Sequence, residues 1–93
     1  MKVRYSPDFY QKYKKADVRI QNRVDEKIEV FLKDPYDLQL DNHMLKRRWK
    51  GYRSIDITSD WRAIYKEIQI GDESVAYFVL IGTHKQLFGK LEK

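Results

Sequence analysis

Two hydrophobic periods divide this chain. From Ile20 through Val24 and Ile28 to Phe31, apolar residues return at steps of four, four and three. That spacing stripes one side of a helix and leaves Arg19, Arg23, Asp25, Glu26, Lys27 and Glu29 largely on the wet side. From Gly51 onward the period falls to two: Arg53, Ile55 and Ile57 share one face of a strand, and Tyr52, Ser54 and Asp56 the other. Trp61 to Ile70 reads as a second strand, and Val75 to Ile81, apolar on both faces, as a central strand covered on both sides. Thr58-Ser59-Asp60 and Gly71-Asp72-Glu73-Ser74 carry turn chemistry between them. A helical stripe must bury itself against something, and a three-strand meander offers the surface.

The N-terminal third completes the plan. Lys2 to Tyr5 alternates like a short edge strand. Ser6-Pro7 supplies an N-cap followed by proline at the first helical position, and Phe9, Tyr10 and Tyr13 give a short helix its apolar face. Asp17 is a second N-cap, and Asp34-Pro35 ends the longer helix. Residues 36–50 show no clean period and read as a loop with a possible helical turn; beyond Gly82-Thr83-His84 a short polar tail ends the sequence. The expected order is β-α-α-β-β-β. This is an α+β domain, with two helices packed on one face of a mostly antiparallel sheet and the other face partly open. With 93 residues one domain is expected over 1–93.

Cysteine is absent, which excludes disulfides, thiolate zinc sites and cysteine nucleophiles. The longest apolar stretch, Val75 to Gly82, falls far short of the roughly 20 residues of a membrane span. The opening MKVRYSPDF has no apolar core like that of a secretion signal, so a soluble, cytoplasmic protein is expected.

Charge is unevenly placed. The formal net charge is +5, and residues 43–53 alone hold Lys46, Arg47, Arg48, Lys50 and Arg53 with no acid among them. Clustered cations attract polyanions because phosphate contacts release counterions. A solvated loop that only aids solubility has the same composition, but Trp49 and Tyr52 interleave with the charges, as on a nucleic-acid surface.

The candidate chemistry is sparse. His43 and His84 are the two histidines, without HxxxH or HExxH spacing, and there is no glycine-rich phosphate loop and no GxSxG. No cofactor and no metal is expected. What remains is His43, Asp60 with Trp61 and Arg62, and His84 with Phe88. Each has a plain structural alternative: a solvated loop histidine, a turn cap, a strand arginine paired with Asp56 or Glu67, a strand-end cap. Gathered at one rim, they suit RNA cleavage without a metal. The ribose 2′-OH is then the nucleophile, and the protein supplies a base, an acid and positive charge for the phosphorane oxygens. Imidazoles serve both proton roles, arginine the charge, and aromatic rings hold unstacked bases.

The stretch HMLKRRWKGYRSIDITSDWRAIYKEI (43–68), followed by LIGTHKQLF (80–88), resembles the RelE/ParE superfamily of bacterial toxins, and within it the YafQ-type ribosome-dependent mRNA interferases. The detailed likeness covers about half the chain. It implies a toxin that cuts mRNA in the ribosomal A site by 2′-OH attack, with ribosome and mRNA as targets and a small antitoxin as partner. It implies that His43 and His84 are catalytic, His84 as general acid, with Asp60 an active-site acid beside Trp61. Arg62 would stabilise phosphate, and Phe88 would contact RNA. Trp61, Lys46, Arg47, Arg48, Lys50 and Arg53 would contact RNA or grip its phosphates. Such relatives often carry a further histidine in the strand before the DW pair. Asp56 stands there, either replacing it, leaving its role to His43 or Asp60, or serving as a structural partner for Arg53 or Arg62. Other readings of the same fold are a ParE-like non-enzymatic toxin directed at a topoisomerase, against which the two histidines and HKQLF argue, and an RNA-binding module without activity.

Overall fold

A computed structural model describes residues 1–89. The first strand, β1 (Lys2–Tyr5), runs into Ser6, whose hydroxyl accepts the Phe9 N–H at 3.0 Å and so starts α1 (Pro7–Lys15). The same hydroxyl donates to the Val79 carbonyl at 2.7 Å, and the Ser6 N–H to that of Phe78 at 2.9 Å. One buried serine therefore caps a helix and ties its start to the sheet. Asp17 accepts the Arg19 N–H at 2.7 Å and starts α2 (Val18–Lys33), which ends at Asp34, before Pro35. Both caps and both helices fall where the sequence predicts them. The Tyr13 hydroxyl donates to Asp25 at 2.8 Å and the Gln21 amide to the Tyr13 carbonyl at 2.9 Å, joining the helices.

After a 3₁₀ turn at Leu38–Leu40 come β2 (His43–Met44), a second 3₁₀ turn at Arg47–Trp49, β3 (Arg53–Asp56), β4 (Trp61–Ile70), β5 (Glu73–Thr83) and α3 (His84–Phe88). The sheet order is β1-β5-β4-β3-β2. β1 lies parallel to β5, and the remaining neighbours are antiparallel. The α+β plan and the meander agree with the sequence reading. Two elements depart from it. β2 is too short to show a period, and the start of the expected polar tail is a helix. Thr83 and Gln86 bond each other's backbone in a capping box, and Gly89 closes the far end. Residues 90–93 of the expected tail lie outside the described residues. Among the described residues no helix is long and apolar enough to cross a membrane.

A bulge in β5 gives the sheet two apolar faces. Ile64 pairs with Leu80 but Tyr65 pairs with Phe78, leaving Val79 without an opposite number. A strict alternation would turn Phe78 and Leu80 the same way. With the extra residue, Phe78 joins the core under α1 and α2, while Val79 and Leu80 pack on the other side. Under the helices, Phe31 sets its edge against Tyr65 at 5.0 Å and Phe78 at 5.3 Å, and all three are fully buried. On the reverse face Ile64, Leu87 and Phe88 form a smaller core with Leu45, Trp49, Tyr52, Val79 and Leu80. The face expected to be partly open is thus roofed in part by α3 and the 45–52 loop.

Gly82 lets α3 fold back. A methyl group there would stand 3.0 Å from the Gln86 Oε1 and 3.3 Å from the Leu87 Cδ2. The glutamine cannot give way freely, because its oxygen accepts the Thr83 N–H at 2.8 Å. Gly82→Ala is expected to cost about 1–3 kcal/mol as overpacking, read from urea unfolding; an unchanged midpoint would show that α3 is only loosely seated.

Asp56 and Arg62 face each other across β3 and β4. The carboxylate lies 3.0 Å from the arginine Nε but out of line with its N–H, so this is a charge contact rather than an aligned hydrogen bond. Arg62 also donates through Nη1 to the carbonyls of Thr58, Ser59 and Trp61, stitching the turn between the strands. Burial pushes the Asp56 carboxyl above the usual carboxylate range, and Arg62 pulls it only partly back. A carboxyl whose folded pKa exceeds its unfolded one contributes stability in full below the unfolded value and loses it as pH rises through the folded value. The stability of wild type relative to Asp56→Asn is therefore expected to fall as pH rises from about 4 toward neutrality, measured by urea unfolding across that range; a difference that grows with pH would reverse the assignment.

Candidate active site

On the α3 side of the sheet lies a cleft of about 540 Å³, and His43 and His84 both line it. His84 is the first residue of α3, and its N–H donates to the Asp60 carbonyl at 2.8 Å. Thr83, the N-cap, fixes the direction in which the helix leaves β5. Four residues on, Phe88 comes round to the same side, its ring 4.9 Å from the imidazole. His43 enters from β2, directly opposite Ser54 of β3. Its Nδ1 lies 2.8 Å from the Asp41 carbonyl. A carbonyl only accepts, so Nδ1 carries the hydrogen and the neutral ring keeps its lone pair on Nε2. Asp41, in the left-handed region at φ 45°, also brings its carboxylate to 3.9 Å from that nitrogen.

Arg62 reaches the cleft from β4, and Lys46 and Arg47 from the loop after β2. Arg47 holds φ at 58°, a left-handed conformation costing a non-glycine residue about 1–2 kcal/mol. Arg48 and Trp49 face α3 instead. The Arg48 Nη2 and the Trp49 indole N–H both donate to the Leu87 carbonyl, at 3.0 and 3.3 Å. They satisfy a helix-end carbonyl and seat α3.

Of the residues singled out in the sequence, His43, His84, Arg62, Phe88, Lys46 and Arg47 meet at this cleft. The others do not line it. Asp60 acts on it through its main chain, as the acceptor for His84. Trp61 packs against the core under α1 and α2, on the side of the sheet away from the cleft. Arg53 also faces that side, where its Nε donates to Asn42 at 2.8 Å. Lys50 borders a neighbouring depression with Tyr52 and Arg53, and that depression shares Met44, Leu45, Lys46 and Arg47 with the cleft. Asp56 takes the structural alternative, as partner of Arg62. Sequence reasoning missed Asp41, Leu45 and Ser54, which line the cleft, and α3 itself. The Thr83–Gln86 spacing followed by Gly89 was a legible capping-box signal; the lining roles of Asp41 and Ser54 had none, since they arise from long-range strand pairing.

A family model described as "Bacterial toxin of type II toxin-antitoxin system, YafQ" matches residues 1–89. The mRNA interferase toxin YafQ of Escherichia coli (strain B / BL21-DE3) is 40% identical over 48 residues, which is 52% of this chain and 48% of that protein. The match thus spans about half the length of that relative. The crystal structure of YafQ from E. coli BL21(DE3) superposes with a TM-score of 0.74 at 30% identity, covering 94% of this chain and 97% of that one. YafQ in the E. coli DinJ-YafQ toxin-antitoxin complex gives 0.70 at 30% identity, covering 94% and 96%. A YoeB/ParE toxin from Agrobacterium tumefaciens, at 22% identity, shares the fold, with a TM-score of 0.72 over 90% of this chain and 99% of that one. With the family model covering nearly every residue, this chain belongs to the YafQ family of bacterial type II toxin–antitoxin toxins.

Proposed function

We propose that this chain is an endoribonuclease that cuts mRNA on the ribosome, blocks translation, and is neutralised in the cytoplasm by a small antitoxin protein. The observation that carries this reading is the convergence of two imidazoles, a strand guanidinium and two loop cations on one cleft beside an aromatic ring. The relatives named as mRNA interferases, and the complex of one of them with its antitoxin, support it.

The chemistry needs only the substrate and these side chains. His43 Nε2 takes the proton of the ribose 2′-OH as the O2′–P bond forms. His84 gives a proton to O5′ as the P–O5′ bond breaks. Arg62, Lys46 and Arg47 carry the negative charge that gathers on the non-bridging oxygens. Phe88 offers its face to a nucleobase lifted from its neighbours. The products are a 2′,3′-cyclic phosphate and a 5′-OH end, and no metal or cofactor enters the scheme. An antitoxin segment that folds as it binds would bury this basic surface.

His84→Ala is expected to abolish cleavage of translated mRNA and growth inhibition while leaving the fold intact; cleavage unchanged on translating ribosomes would reject His84 as the acid. Growth arrest that persists with mRNA intact would favour the topoisomerase-directed reading, and a 5′-phosphate end would replace 2′-OH attack with hydrolysis. Changing Lys46 and Arg47 to Gln is expected to weaken ribosome binding and to flatten the plot of log affinity against log salt by roughly one unit for each phosphate no longer neutralised. Equal slopes for both proteins would remove the two cations from the RNA interface.

A further inference from the structure

We propose that Arg53 and Asn42 are positioning residues that hold His43 in the cleft, and that Arg53 does not grip RNA. The inference rests on the ribonuclease reading above and adds to it the device that keeps the base in place. β2 has two residues, too few to hold a register by themselves. The residue just before it is fastened on three sides. The Asn42 Oδ1 accepts from the Arg53 Nε at 2.8 Å. Its Nδ2 donates to the Pro35 carbonyl and to the Tyr65 hydroxyl, each at 2.8 Å. Arginine is donor-only and the Pro35 carbonyl acceptor-only, so the amide has one orientation that satisfies both.

The anchors belong to the rigid part of the molecule. Tyr65 is fully buried, wedged between Phe31 and Phe78. It is the cross-strand partner of Arg53, which in turn pairs with Met44. The guanidinium lies over the Tyr36 ring, 5.4 Å from its centroid, and so closes the 35–42 loop against the sheet. Successive strand residues point to opposite faces, so Ser54 lines the cleft, while Arg53 does not line it and borders the adjoining depression instead. For its head group to meet a phosphate in the cleft, Arg53 would have to abandon Asn42 and leave a part-buried amide oxygen unpaired. What it does where it stands is fix the main chain one residue before His43.

The test combines turnover, binding and exchange. Arg53→Gln and Asn42→Ala should each slow single-turnover cleavage at saturating ribosomes by about tenfold, because a misplacement of about 1 Å is costly. Ribosome affinity and its salt slope should not change. The double variant should be no slower than the worse single one, since both break the same unit. Asn42→Asp keeps the acceptor facing Arg53 and lets the Tyr65 hydroxyl turn to donate, but it sets a carboxylate oxygen against the acceptor-only Pro35 carbonyl, so it should recover only part of the Asn42→Ala loss. Tyr65→Phe, which loses one bond and no packing volume, should give a smaller loss of the same kind. The Leu45 N–H, which donates to the Tyr52 carbonyl where β2 meets β3, should exchange with solvent faster in Arg53→Gln and Asn42→Ala. A loss of affinity with a flatter salt slope in Arg53→Gln, or additive losses, or unchanged Leu45 exchange, would overturn the proposal. Should wild type leave ribosome-bound mRNA uncut, the ribonuclease reading fails by itself, and the exchange rates still decide whether this pair holds the segment.

Discussion

One extra residue in β5 governs both faces of the sheet. Val79 stands outside the pairing with β4, and its carbonyl accepts from the Ser6 hydroxyl. That hydroxyl is also the cap of α1. A single side chain thus couples the start of the first helix to the irregularity that lets Phe78 face one core and Leu80 the other. The helix-side core supplies most of the buried apolar area. The bulge sends Val79 and Leu80 to the smaller reverse core, where they and Ile64 pack with α3.

The cleft lies on the reverse face, and its parts arrive from separate stretches of chain. His84 sits at the start of a helix whose direction is set by Thr83, whose close approach is permitted by Gly82 and whose end is held by Arg48 and Trp49. Arg62 is locked by three turn carbonyls and by Asp56. These are short, specific polar contacts around a small apolar core. They suit a site whose work is to offer charge and protons in fixed places rather than to close around a substrate.

Much of the fold was legible because the decisive signals are local. The step-four stripe of α2, the Ser6-Pro7 and Asp17 caps, Asp34-Pro35 and the period-two strands are each readable within a window of a dozen residues. The site was legible by residue type more than by position. The histidines, Arg62, Phe88, Lys46 and Arg47 share the cleft, as the proposed cleavage chemistry requires. Trp61 and Arg53 turn away from it, although Arg53 belongs to the most basic window of the sequence. Composition counts charges along the chain and is blind to which side of a strand they leave. Strand parity could have separated Arg53 from Ser54, but it needs to be known which face carries the site. That depends on where α3 and β2 pack, and neither shows a period long enough to read.

The two imidazoles are held by different means, and the difference follows from what each is attached to. His84 inherits its place from a helical turn and its own N–H to the Asp60 carbonyl, with the Thr83 and Gln86 side chains closing the capping box. His43 has a two-residue strand and a left-handed aspartate beside it, so its place depends on side chains: Asn42, Arg53 and Tyr65 on the sheet side. On the proposed reading, His84 as acid is held partly through the main chain and His43 as base mainly through side chains, so the two drift differently under mutation. On that reading, sequence change around β2 shifts the proposed proton acceptor first, while Arg62 stays where the strands put it. If Arg53 and Asn42 hold His43 as proposed, the loop between α2 and β3 can vary only so far as it keeps, at the residue before the histidine, an amide that accepts from Arg53 and donates to the Pro35 carbonyl.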